Sequence, residues 1–214
     1  MIGRREEDIM SSWRSRDALV TIATVVENLN RVHIERRLDS FLEQECSFGF
    51  EIVIFDNGSR GRSLNILREY ESRFPSIVKI IYRDTPCSRG IDFSKVKGEF
   101  VALCSGDDYW CDREKLQTQI MAMEGYPDVD MSFHPAYKLI NNRICEIIGR
   151  RYSGDRIFST DEVIVGGAPL PPTVSIIFRK RFLDDSSKGG ILYLDRVMAL
   201  HRVEKRFLNI NFLY

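Results

Sequence analysis

Three short, β-branched, apolar runs constrain this chain most: Leu19–Val26 (Leu-Val-Thr-Ile-Ala-Thr-Val-Val), Glu51–Asp56 (Glu-Ile-Val-Ile-Phe-Asp) and Phe100–Cys104 (Phe-Val-Ala-Leu-Cys). Runs of this length and composition suit strands buried on both faces, as in the middle of a parallel sheet. The stretches between them read as helices. Within 30–45, Ile34, Leu38, Phe41 and Leu42 recur at helical spacing and give one buried stripe. A second helix over 63–74 turns Leu64, Leu67 and Phe74 inward and is closed by Pro75. Val78–Arg83 is a further strand. Strand and helix alternating at this spacing predict an α/β domain, with a mostly parallel central sheet flanked by helices and joined by right-handed crossovers.

In such sheets ligands bind beyond the carboxyl ends of the strands. Glu51–Asp56 stops at Asp56-Asn57-Gly58-Ser59, and Phe100–Cys104 stops at Ser105-Gly106-Asp107-Asp108-Tyr109-Trp110. Asp56 and Asp107 are 107 − 56 = 51 positions apart, yet this topology aims both at one crevice. Two adjacent carboxylates at the end of a buried strand repel each other and lose solvation, so they stay ionised only beside positive charge. A Mg²⁺ or Mn²⁺ ion carrying a diphosphate supplies it, because such ions take one or two protein carboxylates plus phosphate oxygens. Taken alone, the same residues also read as a turn whose acids cap the next helix. The convergence of the two acidic strand ends favours the ligand site.

The rest of the chain is less telling. Residues 1–17, with four arginines and four acids, read as a leader with little to bury, before a single domain over 18–205 and a tail over 206–214. Asp112 reads as the cap of a helix that runs to about Met123, with Leu116, Ile120 and Met123 on one face. Val129–His134 is a strand, and Tyr137–Ile140 with Arg143–Ile148 form a hairpin turning at Asn141-Asn142. Thr173–Arg179, Ile191–Leu194 and Val197–Val203 read as strands. The cluster Arg31, Arg36, Arg37 reads as a solvated helix face, and Cys104 as a small buried hydrophobe. Tyr109 and Trp110 read either as core or as lining for an acceptor pocket.

Composition narrows the function. Hydrophobic residues make up 43% and charged residues 29%, as in an ordinary globular domain. Lys+Arg and Asp+Glu are 31 each, which argues against a general nucleic-acid binder. No apolar run approaches the ~20 residues of a membrane span, and 1–17 lacks the apolar segment of a signal peptide. Five cysteines without a C-x-x-C point to a reduced, cytoplasmic protein without a zinc site. No G-x-G-x-x-G follows any strand, which excludes a dinucleotide oxidoreductase. Thr24–Asn30 offers no Gly-rich phosphate loop for a nucleotidyltransferase.

Leu-Val-Thr-Ile, Glu-Ile-Val-Ile-Phe-Asp-Asn-Gly-Ser and Lys-Gly-Glu-Phe-Val-Ala-Leu-Cys-Ser-Gly-Asp-Asp-Tyr-Trp resemble the family-2 glycosyltransferases, which have the GT-A (nucleotide-diphospho-sugar transferase) fold. The likeness continues through Asp112–Gln119, Val174–Arg179 and Tyr193–Arg202. It implies transfer of a sugar from a nucleotide-diphosphate sugar to an acceptor hydroxyl, inverting and dependent on a divalent metal, Mn or Mg. It further implies a glycan or glycolipid acceptor, a role in bacterial surface polysaccharide synthesis, and peripheral association with the inner face of a membrane. By position, Asp56 and Asn57 would hold base and ribose, Glu27 would contact the base, and Arg89 would approach phosphate. Asp107 would bind the donor and, with Asp108, the metal. Relatives carry the catalytic base on a longer segment after Phe178-Arg179; here Asp184 and Asp185 are the only acids in that segment. That shortening, with Ser105 and Asn57 where relatives have acids, leaves an alternative: an impaired relative that binds nucleotide-sugar or a partner without turnover.

Overall fold

The computed structural model describes residues 3–27, 31–83, 90–104, 106–149, 152–164, 170–183 and 189–203. A short helix α1 (Glu6–Met10) precedes β1 (Ala18–Val26), α2 (Arg31–Leu42), β2 (Gly49–Asp56), α3 (Gly61–Arg73), β3 (Val78–Tyr82) and β4 (Phe100–Leu103). The chain continues with β5 (Tyr109–Trp110), α4 (Lys115–Glu124), β6 (Val129–Phe133), β7 (Ala136–Ile140) and β8 (Arg143–Ile148). It ends in β9 (Arg156–Phe158), α5 (Thr160–Ile164), β10 (Ile177–Arg179), β11 (Gly190–Tyr193) and β12 (Ala199–Val203).

The α/β expectation holds. Eight strands form one sheet in the order β3-β2-β1-β4-β10-β6-β11-β9. The run β3-β2-β1-β4 is parallel, whereas β10 is antiparallel to both β4 and β6. β1 sits inside the parallel part, with Val26 opposite Asp56 on one side and Ala23 opposite Leu103 on the other. The ends of β2 and β4 therefore flank the end of β1. β2 is buried along its whole length, which is why its apolar run is nearly unbroken. A second sheet, β5-β12-β7-β8, contains the expected β7–β8 hairpin and the expected strand near the end, and adds the short β5, which the sequence did not announce. Asn141 and Asn142 both adopt left-handed φ values, 52° and 61°, as a two-residue hairpin turn of this type demands.

The α2 stripe of Ile34, Leu38, Phe41 and Leu42 is buried, and so is the α4 stripe of Leu116, Ile120 and Met123. Other expectations are corrected. Leu67 on α3 and Phe74 just after it are buried as expected, but Leu64 is only half-buried, and Ile66 and Tyr70 complete the buried face. Thr173–Arg179 is not one strand: Thr173–Ser175 makes a 3₁₀ turn, and only Ile177–Arg179 pairs. The Pro171-Pro172 pair just before it fixes a turn that β-branched composition conceals. Residues 1–17 have more to bury than their charge suggested. Ile9 and Met10 enter the core, and the Trp13 ring lies 5.1 Å from that of Phe50. Asp112 precedes α4 rather than starting it, its Oδ1 accepting from the Glu114 backbone N–H.

Candidate functional site

The segment after β4 carries the acid pair, and one face of α2 holds it rung by rung. His33, Arg37, Ser40 and Gln44 recur every three or four positions, beside the apolar stripe that faces the core. His33 Nδ1 lies 3.0 Å from Asp107 Oδ1. Arg37 Nε donates to the Asp108 carbonyl at 3.2 Å. Ser40 Oγ accepts from the Trp110 backbone N–H at 3.2 Å. Just past the helix, Gln44 donates to the Asp112 carbonyl and accepts from the Leu116 N–H. The loop bearing Asp107 and Asp108 is thus fixed in register against the helix that follows β1.

Arg37 corrects the reading of a solvated basic face. It is 1% exposed, and its other guanidinium bonds go to Thr24 Oγ1 and the Val25 carbonyl at the end of β1. Buried cations need partners, and here they are the Thr24 hydroxyl and Val25 carbonyl at the end of β1 and the Asp108 carbonyl in the segment after β4, while Nη2 has no hydrogen-bond partner among the described residues. The chain itself thus places one buried positive charge beside the acid loop.

The two acids have different roles. Asp108 is 4% exposed, and both carboxylate oxygens are engaged by β12. Oδ1 accepts from the Arg202 backbone N–H at 2.8 Å, and Oδ2 lies 3.1 Å from His201 Nδ1. That hydrogen bond raises the His201 pKa above its ordinary value. Asp107 is less committed. Its Oδ1 is buried and has no hydrogen-bond partner among the described residues, although His33 stands beside it. Arg202 Nε and Nη2 are likewise buried and without a hydrogen-bond partner among those residues. Neither His33, His201 nor Arg202 stood out in the sequence, because their partners lie 74, 93 and 94 positions away (107 − 33 for the first).

On the other side of β1, Asp56 is buried, and its Oδ1 accepts from the Ser59 N–H at 3.0 Å, closing a tight turn. The Asn57 N–H donates to the Val26 carbonyl, placing Asn57 beside the exposed Glu27. The structure therefore brings Glu27, Asp56, Asn57, Asp107 and Asp108 to one edge of the sheet. Arg89, Asp184 and Asp185 lie outside the described residues. Among the described residues no group of three or more His, Cys, Asp or Glu is arranged to hold a metal ion, so an ion here would draw its remaining ligands from phosphate oxygens or water. The buried, unbonded oxygen of Asp107 fits such an ion.

Behind the acid loop is a buried polar cluster. Lys115 Nζ donates to Gln119 Oε1 and lies 4.4 Å from the centre of the Trp110 ring. Gln119 in turn donates to Ser132 Oγ and the Ser175 carbonyl. Burial pushes the Lys115 pKa down to about 7 and the Cys104 thiol up to about 12. Cys104 is therefore inert, as expected. Trp110 is core, its indole N–H donating to the Val174 carbonyl, while Tyr109 is half-buried beneath the Arg36 guanidinium.

Residues 21–185 match the family described as Glycosyl transferase family 2. An uncharacterized protein of Mycobacterium tuberculosis is 28% identical over 167 residues, covering 76% of this chain and 48% of its own length. An uncharacterized glycosyltransferase of a Nostoc species is 30% identical over 93 residues, covering 42% of this chain and 29% of its own. The chain thus spans about half the length of the first of these relatives. Among solved structures, S. aureus TarS 1-349 in complex with UDP superposes with a TM-score of 0.62 at 17% identity, over 86% of this chain and 60% of TarS. A mannosyltransferase from Pyrobaculum calidifontis, in complex with GDP-Man and Mn²⁺, gives 0.62 at 14% identity over 94% and 64%. At these identities the likeness is one of fold. No helix among the described residues is long and apolar enough to cross a membrane.

Proposed function

The chain belongs to glycosyl transferase family 2, and from that membership we propose that it transfers a sugar from a nucleotide-diphosphate sugar to an acceptor hydroxyl. The observation that carries this reading is the Asp107 carboxylate at the carboxyl end of β4, with one oxygen buried and without a hydrogen-bond partner among the described residues. Asp56, Asn57 and Glu27 receive the base and ribose. An Asn can hydrogen-bond a base edge as donor and acceptor, so Asn57 tunes which base is taken. Arg202, with two buried guanidinium nitrogens that have no hydrogen-bond partner among the described residues, and Arg89 approach the diphosphate.

Asp107 holds a divalent ion, Mn²⁺ or Mg²⁺, and Asp108 ties the same loop to β12. Bound there with the donor, the ion neutralises the charge that grows on the departing diphosphate. Transfer is a single displacement with inversion. The acceptor oxygen bonds to the anomeric carbon, the bond from that carbon to the diphosphate breaks, and the acceptor proton passes to a carboxylate. Asp184 and Asp185 are our candidates for that base. The acceptor is a glycan or glycolipid, and the setting is surface polysaccharide assembly at the inner, cytoplasmic face of a membrane, where the protein associates peripherally.

The test is a thermal-shift screen with UDP, GDP, CDP and dTDP, each with and without Mn²⁺, followed by an assay of sugar release from the matching donor. A ligand at about a hundred times its Kd adds roughly 2.7 kcal/mol, enough to be seen. A shift that needs one nucleotide and the ion, and turnover of its sugar conjugate, supports the reading. Binding without turnover selects the impaired relative, and no binding overturns the donor site.

A further inference from the structure

We propose that His33 is a second protein ligand of the ion at Asp107, so that this donor site selects an ion that accepts imidazole nitrogen, Mn²⁺ or Co²⁺ ahead of Mg²⁺. The inference rests on the donor-site reading above and adds to it a residue from α2. His33 is only 14% exposed, and its Nδ1 stands 3.0 Å from Asp107 Oδ1. An imidazole N–H aimed at that oxygen would satisfy it. Instead, the oxygen is buried and has no hydrogen-bond partner among the described residues, so the two atoms lie side by side rather than head on.

Side by side at this spacing is the relation between neighbouring ligands of one ion. Bonds of about 2.1 Å meeting at a right angle place the two ligand atoms about 3.0 Å apart. A buried carboxylate oxygen without a donor is costly, and a cation between it and the ring nitrogen removes that cost. The helix that carries His33 is held in place against the backbone after β4 by Arg37, Ser40 and Gln44. Asp108, expected to share the ion, has both oxygens engaged by His201 and the Arg202 N–H, which leaves Asp107 as the less committed carboxylate. With two protein ligands, the remaining positions fall to diphosphate oxygens and water, as is usual for ions that carry a nucleotide. An imidazole among the ligands shifts preference away from Mg²⁺, whose sites are built from oxygen.

The experiment is Mn²⁺ binding to the full chain in the presence of UDP, GDP, CDP and dTDP, each separately, read from the electron paramagnetic resonance of the free ion. Pulsed measurements on the bound ion then detect a coordinated nitrogen. Wild type is expected to show nitrogen coupling that changes isotope pattern when histidine is labelled with ¹⁵N. In His33→Ala the coupling disappears and Mn²⁺ affinity falls by about tenfold or more, while Mg²⁺ affinity changes far less. His33→Gln, which keeps a polar side chain, also loses the coupling. Coupling that survives in His33→Ala overturns the proposal, as does tighter Mn²⁺ binding in that variant, which would make His33 a counter-charge displaced by the ion. Wild type that binds Mn²⁺ without nitrogen coupling overturns this inference alone. Wild type that fails to bind Mn²⁺ in the presence of any of the four nucleotides overturns the metal-dependent donor site as well.

Discussion

Arg37 Nε donates to the Asp108 carbonyl across 71 positions of sequence, and the same guanidinium bonds Thr24 and Val25 at the end of β1. One buried cation therefore ties the acid loop beyond β4 to the end of β1.

Arg37→Ala should cost about 2–4 kcal/mol of stability, because it leaves buried carbonyls unpaired. Arg37→Lys should recover only part, since an ammonium cannot span the three acceptors as a planar fork does. Both variants should weaken nucleotide binding. Urea denaturation and the thermal-shift assay together check this, and a stable Arg37→Ala with intact binding would sink it.

Asp107→Ala and Asp108→Ala should separate cleanly. The first should abolish the metal-dependent nucleotide shift while changing stability by less than about 1 kcal/mol. The second should lose about 2–3 kcal/mol, because the Arg202 N–H and His201 lose their acceptor at a buried position. Equal losses of stability in both variants would refute the division of roles.

Lys115 predicts a pH dependence. Burial lowers its pKa from 10.5 to about 7, so the folded chain favours the neutral amine. Between those values the unfolded chain holds a proton that the folded chain lacks, so this group makes stability rise with pH across that window and contributes no slope below it. Lys115→Met removes the term. The urea midpoint of wild type minus that of Lys115→Met should increase from pH 7 to pH 10, and a flat difference would contradict the burial of the amine.

Gly98→Ala should be severe. A Cβ there would lie 2.5 Å from the Thr21 backbone nitrogen and 2.8 Å from the Val20 carbonyl carbon, inside β1. Backbone cannot yield as a flexible side chain can, so a loss of about 2 kcal/mol or more is expected. Thermal unfolding of the single variant measures it.

What was legible in the sequence is what local patterning encodes. β1, β2 and β4 are buried on both faces, so their apolar runs announce them, and Asn141-Asn142 announces its own turn. The edge positions of Asp56 and Asp107 followed from topology alone. Arg37 was misread because an arginine within a basic cluster on a helix looks solvated unless its distant acceptors are known. His33 and His201 escaped for the same reason: each matters only through a carboxylate far along the chain. Thr173–Ser175 misled because β-branched residues fill a turn there, where neighbouring prolines outweigh propensity.

The return of β12 to Asp108 has a consequence for the order of assembly. Its contacts close a loop of 94 residues, so they form late, after the local β-α-β units have collapsed. A chain lacking β12 would keep the strands of the parallel core and lose the brace on its acid loop, because both Asp108 oxygens would lose their partners.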